Sequence, residues 1–190
     1  MSLTHYRRNL PHILPPNETV FVTFRLAGSV PVAALEQWRS EQSKTGQQPT
    51  YGQTDTWLDS KAPAVGPDWL RLPQLANVVG EALHFRHPKD YTLWAYCVMP
   101  NHVHFVATIA NETVGFVHTL QSLKARTARR CNALLARSGP FWQDESYDHV
   151  VRRSGEEMQR VISYILHNPV KAGLVADWQQ WPFSYLNPEW

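Results

Sequence analysis

Two apolar runs separated by three residues constrain this chain more than any other feature. Tyr91–Val98 is apolar at both parities, which suits a strand buried on both faces. Met99, Pro100 and Asn101 supply a turn. His102–Ile109 then reads as a second strand, so the pair is expected to form a hairpin at the centre of a sheet. Successive strand side chains point to opposite faces. Val103, Phe105, Ala107 and Ile109 therefore anchor the second strand in a core, while His102 and His104 share the other face.

The remaining segments arrange themselves around that hairpin. Residues 18–26 read as a strand in which Val20, Val22 and Phe24 alternate with Phe21 and Thr23, and Gly28 follows. Residues 31–43 read as a helix with Ala34, Leu35 and Trp38 as contacts. Residues 44–67, rich in Gln, Thr, Gly, Pro and Asp, read as a loop insertion in which Trp57 and Leu58 dock a short turn. Residues 72–85 carry Leu75, Val78, Val79, Ala82 and Leu83 at helical spacing. Asn111 is expected to cap a long helix whose core face is Phe116, Leu120, Leu123, Thr127, Cys131 and Leu134, with Gly139 beyond its end. Residues 147–151 suit a short strand. Ser154 and Glu157 form a capping-box pattern before a last helix, which Pro169 is expected to end at Asn168. Trp178 to Phe183 reads as an aromatic tail. The order strand–helix–strand–strand–helix–strand, plus an extra helix, predicts one α+β domain over residues 1–190. Its sheet is ferredoxin-like and antiparallel, with helices on one face.

Charge enters through its distribution. The formal net charge is only +2, yet residues 113–143 contain no Asp or Glu and hold Lys124, Arg126, Arg129, Arg130 and Arg137. A solvated helix face is the usual meaning of such residues, but the missing acids favour a phosphate-facing surface. No apolar run is long enough to span a bilayer, and residues 1–14 carry Arg7, Arg8 and two His without an apolar core, unlike a secretory leader. The expected setting is the cytoplasm, in association with the nucleoid when DNA is bound. Cys97 and Cys131 are far apart with no CxxC, and are expected to be buried thiols.

The chemistry-bearing residues gather around the histidine pair and the last helix. Two imidazoles on one strand face can reach one metal ion. Imidazole suits Mn, Zn, Co or Ni, whereas Mg prefers oxygen. On the last helix Met158, Val161, Ile162 and Ile165 form the apolar stripe. Tyr164 lies about 110° from the stripe centre, and Asn168 follows one turn later on the same side. A free tyrosine, with a pKa near about 10, is a weak nucleophile, and a divalent cation compensates by polarising a phosphodiester. Tyr147, beside Asp148 and His149, competes as nucleophile, and His167 competes with Asn168 as ligand.

Met99-Pro100-Asn101-His102-Val103-His104 resembles the His-hydrophobic-His motif of the single-tyrosine transposases. Residues 164–175, Tyr-Ile-Leu-His-Asn-Pro-Val-Lys-Ala-Gly-Leu-Val, resemble the tyrosine-helix signature of the branch associated with repetitive extragenic palindromes (REP). Tyr6-Arg7-Arg8 with Leu10-Pro11-His12, Ser122-Leu123-Lys124, Phe141-Trp142-Gln143, residues 148–152 and Trp181-Pro182-Phe183-Ser184 resemble that branch in order, so the resemblance covers nearly the whole chain. It implies that His102, His104 and Asn168 bind a divalent metal ion, Mg2+ or Mn2+. It implies that Tyr164 attacks single-stranded hairpin DNA to leave a 5′-phosphotyrosine and a free 3′-hydroxyl, and that a second 3′-hydroxyl rejoins strands without ATP. Arg7, Arg8, Lys124, Arg126, Arg129 and Arg130 are the expected DNA contacts, Lys124 foremost. Monomer and homodimer both remain open. The rival readings are a hairpin-binding module that no longer cuts, a metal-dependent hydrolase in which water attacks, and a plasmid-type replication initiator or relaxase, which usually places a Lys near the tyrosine's next turn where this chain has Asn168.

Overall fold

The computed structural model describes residues 6–8, 10–12, 17–45, 52–53, 56–57, 66–110, 115–151 and 155–190. Strands β1 (Tyr6–Arg8) and β2 (Leu10–His12) pair as a small antiparallel hairpin. The main chain then runs β3 (Thr19–Leu26), α1 (Val32–Thr45), α2 (Pro73–Arg86), β4 (Tyr91–Val98), β5 (His102–Ile109), α3 (Phe116–Leu134), β6 (Trp142–Val151), α4 (Gly155–Lys171) and β7 (Ser184–Leu186).

The sheet order is β6-β3-β5-β4-β7, antiparallel at every pairing. Counting the four long strands in chain order, this is the ferredoxin-like 4-1-3-2 arrangement, extended by β7 along the outer edge of β4. The α+β expectation is thus met, and the central hairpin has the predicted bounds, with Met99 N–H donating to His102 O at 2.8 Å to close the turn.

The sheet separates two cores. On one face Val20, Val22, Phe24, Val103, Phe105, Ala107 and Ile109 pack against α2 and α3. On the other, Phe21, Ala95, Cys97 and Val106 pack against Met158, Val161, Ile162 and Ile165 of α4. The expectation of helices on one face is therefore corrected. Because Phe21, Ala95, Cys97 and Val106 leave apolar surface on the second face as well, a helix is needed on each side to keep water from the sheet.

Several boundaries also differ. Helix α4 does not end at Asn168 but runs through Pro169 to Lys171. Proline removes its own N–H from the ladder and crowds the carbonyl four residues back, but the helix continues past it, and termination falls instead to Gly173, with φ of +66°. There Leu174 N–H bonds Pro169 O and Gly173 N–H bonds Val170 O, a Schellman cap. The last core strand spans Trp142–Val151 rather than 147–151, since Trp142 continues the pairing to Leu26 beyond a bulge. Leu134 is 55% exposed at the end of α3 and leaves the core that Phe116, Leu123, Thr127 and Cys131 form. Strand β7 was not foreseen in the aromatic tail. Trp181 Nε1–H donates to Val98 O at 3.0 Å, and Val98 N–H donates to Phe183 O at 2.9 Å, which zips the tail onto β4. Both cysteines are buried thiols, as expected. The proposed caps Asn111 and Ser154, and Leu58, lie outside the described residues, while Trp57 lies half-buried in a short helical turn. Among the described residues no helix is long and apolar enough to cross a membrane.

Candidate active site

The strand parity that buries Val103 and Phe105 against α2 and α3 turns His102 and His104 toward α4. Both rings are buried, at 3% and 0% exposure, and their Nε2 atoms lie 2.9 Å apart. Each ring is oriented from behind. His102 Nδ1 lies 2.6 Å from Asn101 Oδ1, and His104 Nδ1 lies 2.8 Å from Thr23 Oγ1. An amide oxygen only accepts, so His102 carries its proton on Nδ1 and points a lone pair through Nε2. Burial foremost, then the Arg25 guanidinium and His104, hold His102 well below its ordinary pKa, which keeps it neutral.

Two lone pairs at this separation require something positive between them. A proton on His104 Nε2 satisfies the pair, with Thr23 then donating to His104 Nδ1. A cation satisfies it equally well, with the tautomer reversed and Thr23 accepting. A hydroxyl serves either role, whereas a valine at position 23 would serve neither. Adjacent ligands of an octahedral ion with metal–nitrogen bonds near about 2.1 Å sit roughly 3.0 Å apart, so the observed spacing fits a shared divalent ion. Anchored Nδ1 groups are the usual outer-shell arrangement of metal-binding imidazoles. Among the described residues no group of three His, Cys, Asp or Glu could hold a metal, so a third protein ligand would have to be of another type. Asn168, 9% exposed, fits that requirement. Its Nδ2–H donates to Tyr164 O at 3.1 Å, which leaves the amide oxygen as its cation-binding end.

Tyr164 stands half-buried on α4 with its ring 5.7 Å from that of His104 and 6.0 Å from Phe21, both edge-on. The ammonium of Lys171 sits 4.6 Å from the centre of the tyrosine ring. From the insertion, Gly52 approaches the same ring, such that an added Cβ would lie 3.6 Å from Cε2. Tyr147 reaches this face too. It pairs with Thr23 across β3 and meets Phe21 edge-on at 6.3 Å, so Phe21 lies between the two tyrosines and stacks on His104 at 5.6 Å. His167 is exposed and its Nδ1 lies 2.8 Å from Ser163 O, on the outer side of α4.

One site residue escaped the sequence reading. Arg25 is only 2% exposed and is the register partner of His102 across β3 and β5. It places a fixed positive charge beside the histidine pair. Its parity with Phe21 and Thr23 was visible in the sequence, but the pairing register was not.

The basic residues fall elsewhere. Helix α3 packs on the face opposite the histidines, so Arg126, Arg129 and Arg130, all exposed, are separated from them by the sheet. Arg126 lies over the exposed ring of Phe85, 4.8 Å from its centre, and Arg130 pairs with Glu81 at 3.0 Å. Lys124 is turned inward. Its ammonium donates to Gln143 O at 2.7 Å, Asp144 O at 3.0 Å and Ser146 Oγ at 3.1 Å, tying α3 to β6. Arg7 and Arg8 lie on β1, and their side chains are outside the described residues.

Comparison with known proteins agrees with this arrangement. Residues 76–168 match the family described as Transposase IS200 like, a span from α2 to Asn168. A REP-associated tyrosine transposase of Escherichia coli is 25% identical over 99 residues, covering 52% of this chain and 56% of that protein. A relative in Haemophilus influenzae, provisionally given the same description, is 25% identical over 99 residues, covering 47% of this chain and 56% of its own length. The chain thus matches little more than half the length of these curated relatives. A solved REP-associated tyrosine transposase bound to a REP hairpin shares the fold with a TM-score of 0.55, at 20% identity over 95% of this chain and 81% of its own. The family match and the two curated relatives agree with the resemblance carried by the sequence motifs, and the solved structure agrees with it in fold.

Proposed function

We propose, from the premise that this chain is a relative of the IS200-like transposases of the REP-associated branch, that it nicks and rejoins single-stranded hairpin DNA through Tyr164. The observation that carries the reading is the meeting of three groups on one sheet face. The His102 and His104 Nε2 atoms converge, and the ring of Tyr164 stands against His104. The solved relative's hairpin is the motive for the choice of substrate.

His102, His104 and the Asn168 oxygen would hold a divalent ion, which when bound polarises the scissile phosphate and stabilises charge building on it. Every other part falls to the chain's own residues. The Tyr164 oxygen, on losing its proton, forms a bond to phosphorus while the bond to the 3′-oxygen breaks. The leaving oxygen takes up a proton and becomes a 3′-hydroxyl, and the 5′-phosphate stays on the tyrosine. A second 3′-hydroxyl reverses the exchange and joins strands, so the bond energy is conserved. The Arg25 charge beside His102 favours a phosphate over a bare cation at the site. Lys171, against the Tyr164 ring, puts a second positive charge close to where the phosphate would sit.

The test is incubation of the protein with labelled single-stranded hairpin DNA and Mn2+ or Mg2+, followed by a denaturing gel. A protein-linked DNA band is expected that requires metal, disappears in Tyr164→Phe and persists in Tyr147→Phe. Loss only in Tyr147→Phe would transfer the nucleophile to β6. Cleavage without a covalent band would replace the tyrosine by water, and binding without cleavage would leave a DNA-gripping module.

A further inference from the structure

The outer face of α4 carries a feature that extends beyond the histidine site and shares only Tyr164 and Lys171 with it. Arg160, Tyr164, His167 and Lys171 follow the spacing i, i+4, i+7, i+11 and so form one stripe along the helix. With Ser163 and Val170 they line an open groove of about 840 Å³. The stripe is about 16 Å long at helical rise. Phosphates on one strand rise about 3.4 Å per nucleotide along the axis of a compact duplex and lie farther apart than that along the backbone itself, so the stripe has room for about three of them. No Asp or Glu occurs from Met158 to Ala176, although an ordinary solvated helix face carries both signs. Among the described residues that line the groove the one acid is Glu156, at its N-terminal end, 3.2 Å from Arg160 in a pair exposed at both partners. Such a pair holds weakly, so a phosphate can take the place of the carboxylate.

The groove offers what an unpaired strand binds. Arg160 and Lys171 supply positive charge at its two ends. The Tyr164 ring and Val170 between them offer aromatic and apolar surface to a base. The ring of His167 is held by its bond to Ser163.

Resting on the reading of Tyr164 as nucleophile, we propose that this groove is the track for the single-stranded DNA flanking the hairpin. In this arrangement Arg160 and Lys171 hold the phosphates on either side of the one that Tyr164 attacks, and both are positioning residues. The α3 arginines, across the sheet, are left to the hairpin itself.

The experiment compares affinity for one hairpin with and without single-stranded flanks, across a NaCl titration. Tyr164→Phe serves as the common background, because it keeps the ring and prevents cleavage. Arg160→Ala and Lys171→Ala are introduced singly and together. The double variant is expected to bind the flanked hairpin roughly tenfold more weakly. Its salt slope should fall by about 1.4, from about 0.7 for each lost phosphate contact on a single strand. The bare hairpin should be unaffected, and Lys171→Arg should restore the lysine's share. If the double variant keeps the full preference for flanked DNA, or loses equally on both DNAs, the track is wrong while the tyrosine reading stands. If the background protein binds neither DNA, both fall.

Discussion

The two faces of the central sheet solve opposite problems with the same strands. Toward α2 and α3, β3 and β5 present only apolar side chains, and the arginines of α3 lie outward. Toward α4, the same strands bury Thr23, Arg25, His102 and His104. Buried polar groups are tolerated only with partners. Here Asn101 and Thr23 hold the two imidazoles from behind. The first face keeps the sheet rigid through packing, and the second uses that rigidity to aim two nitrogens at one point. A packed face can therefore be damaged without altering the chemistry's specificity, whereas a chemical face can be silenced without unfolding.

The sharpest break of that comparison is Tyr164→Phe. Covalent adduct formation should fall by at least about 10³-fold, with a melting curve within about 0.5 kcal/mol of the parent. On the opposite face Phe105→Ala should behave in reverse. It should cost about 3–5 kcal/mol of stability by chemical denaturation, while metal-dependent adduct formation by the remaining folded protein persists at low temperature. Lys124→Met should fall with the packed face, losing about 1 kcal/mol for a charged donor removed from partly solvated carbonyls. An unchanged melting curve with a reduced salt slope for DNA would instead return Lys124 to the DNA surface. Thr23→Val should weaken Mn2+ affinity by about 10–100-fold, as loss of an outer-shell partner does, read by calorimetric titration.

A smaller effect concerns pH. His102 is held below its ordinary value of 6.5 in the folded chain. As pH falls below 6.5 the unfolded chain takes up a proton that the folded chain refuses, so stability drops in that window and recovers as pH rises. Denaturant midpoints measured down through it should decline, and His102→Asn should flatten the decline. The smallest change is expected at Leu134→Ala, within about 0.5 kcal/mol at an exposed position. A larger loss there would mean that the α3 face is covered by a partner.

Much of this was legible in the sequence, because periodicity is local. The bounds of β4 and β5 follow from their apolar runs, and the facing of His102 and His104 follows from the parity of one strand. The stripe Met158, Val161, Ile162 and Ile165 placed Tyr164 and Asn168 correctly at the core's margin. Pro169 misled because its effect on the preceding residue was weighed above the helix already packed on β4 and β5. The direction of Lys124 was not legible, because a cation on an acid-free helix looks the same whether its ammonium meets water or the carbonyls of Gln143 and Asp144.

What the sequence determined by itself is therefore the order of elements, the parity of each strand and the residues fit for chemistry. Only the tertiary structure decided which helix covers which face, that Arg25 stands beside His102, that β7 extends the sheet, and that Gly52 comes up against Tyr164. The physical reason is that side-chain direction is set within a few residues by backbone geometry. Register and layer are set by contacts between segments far apart in the chain, whose pairing no single segment encodes.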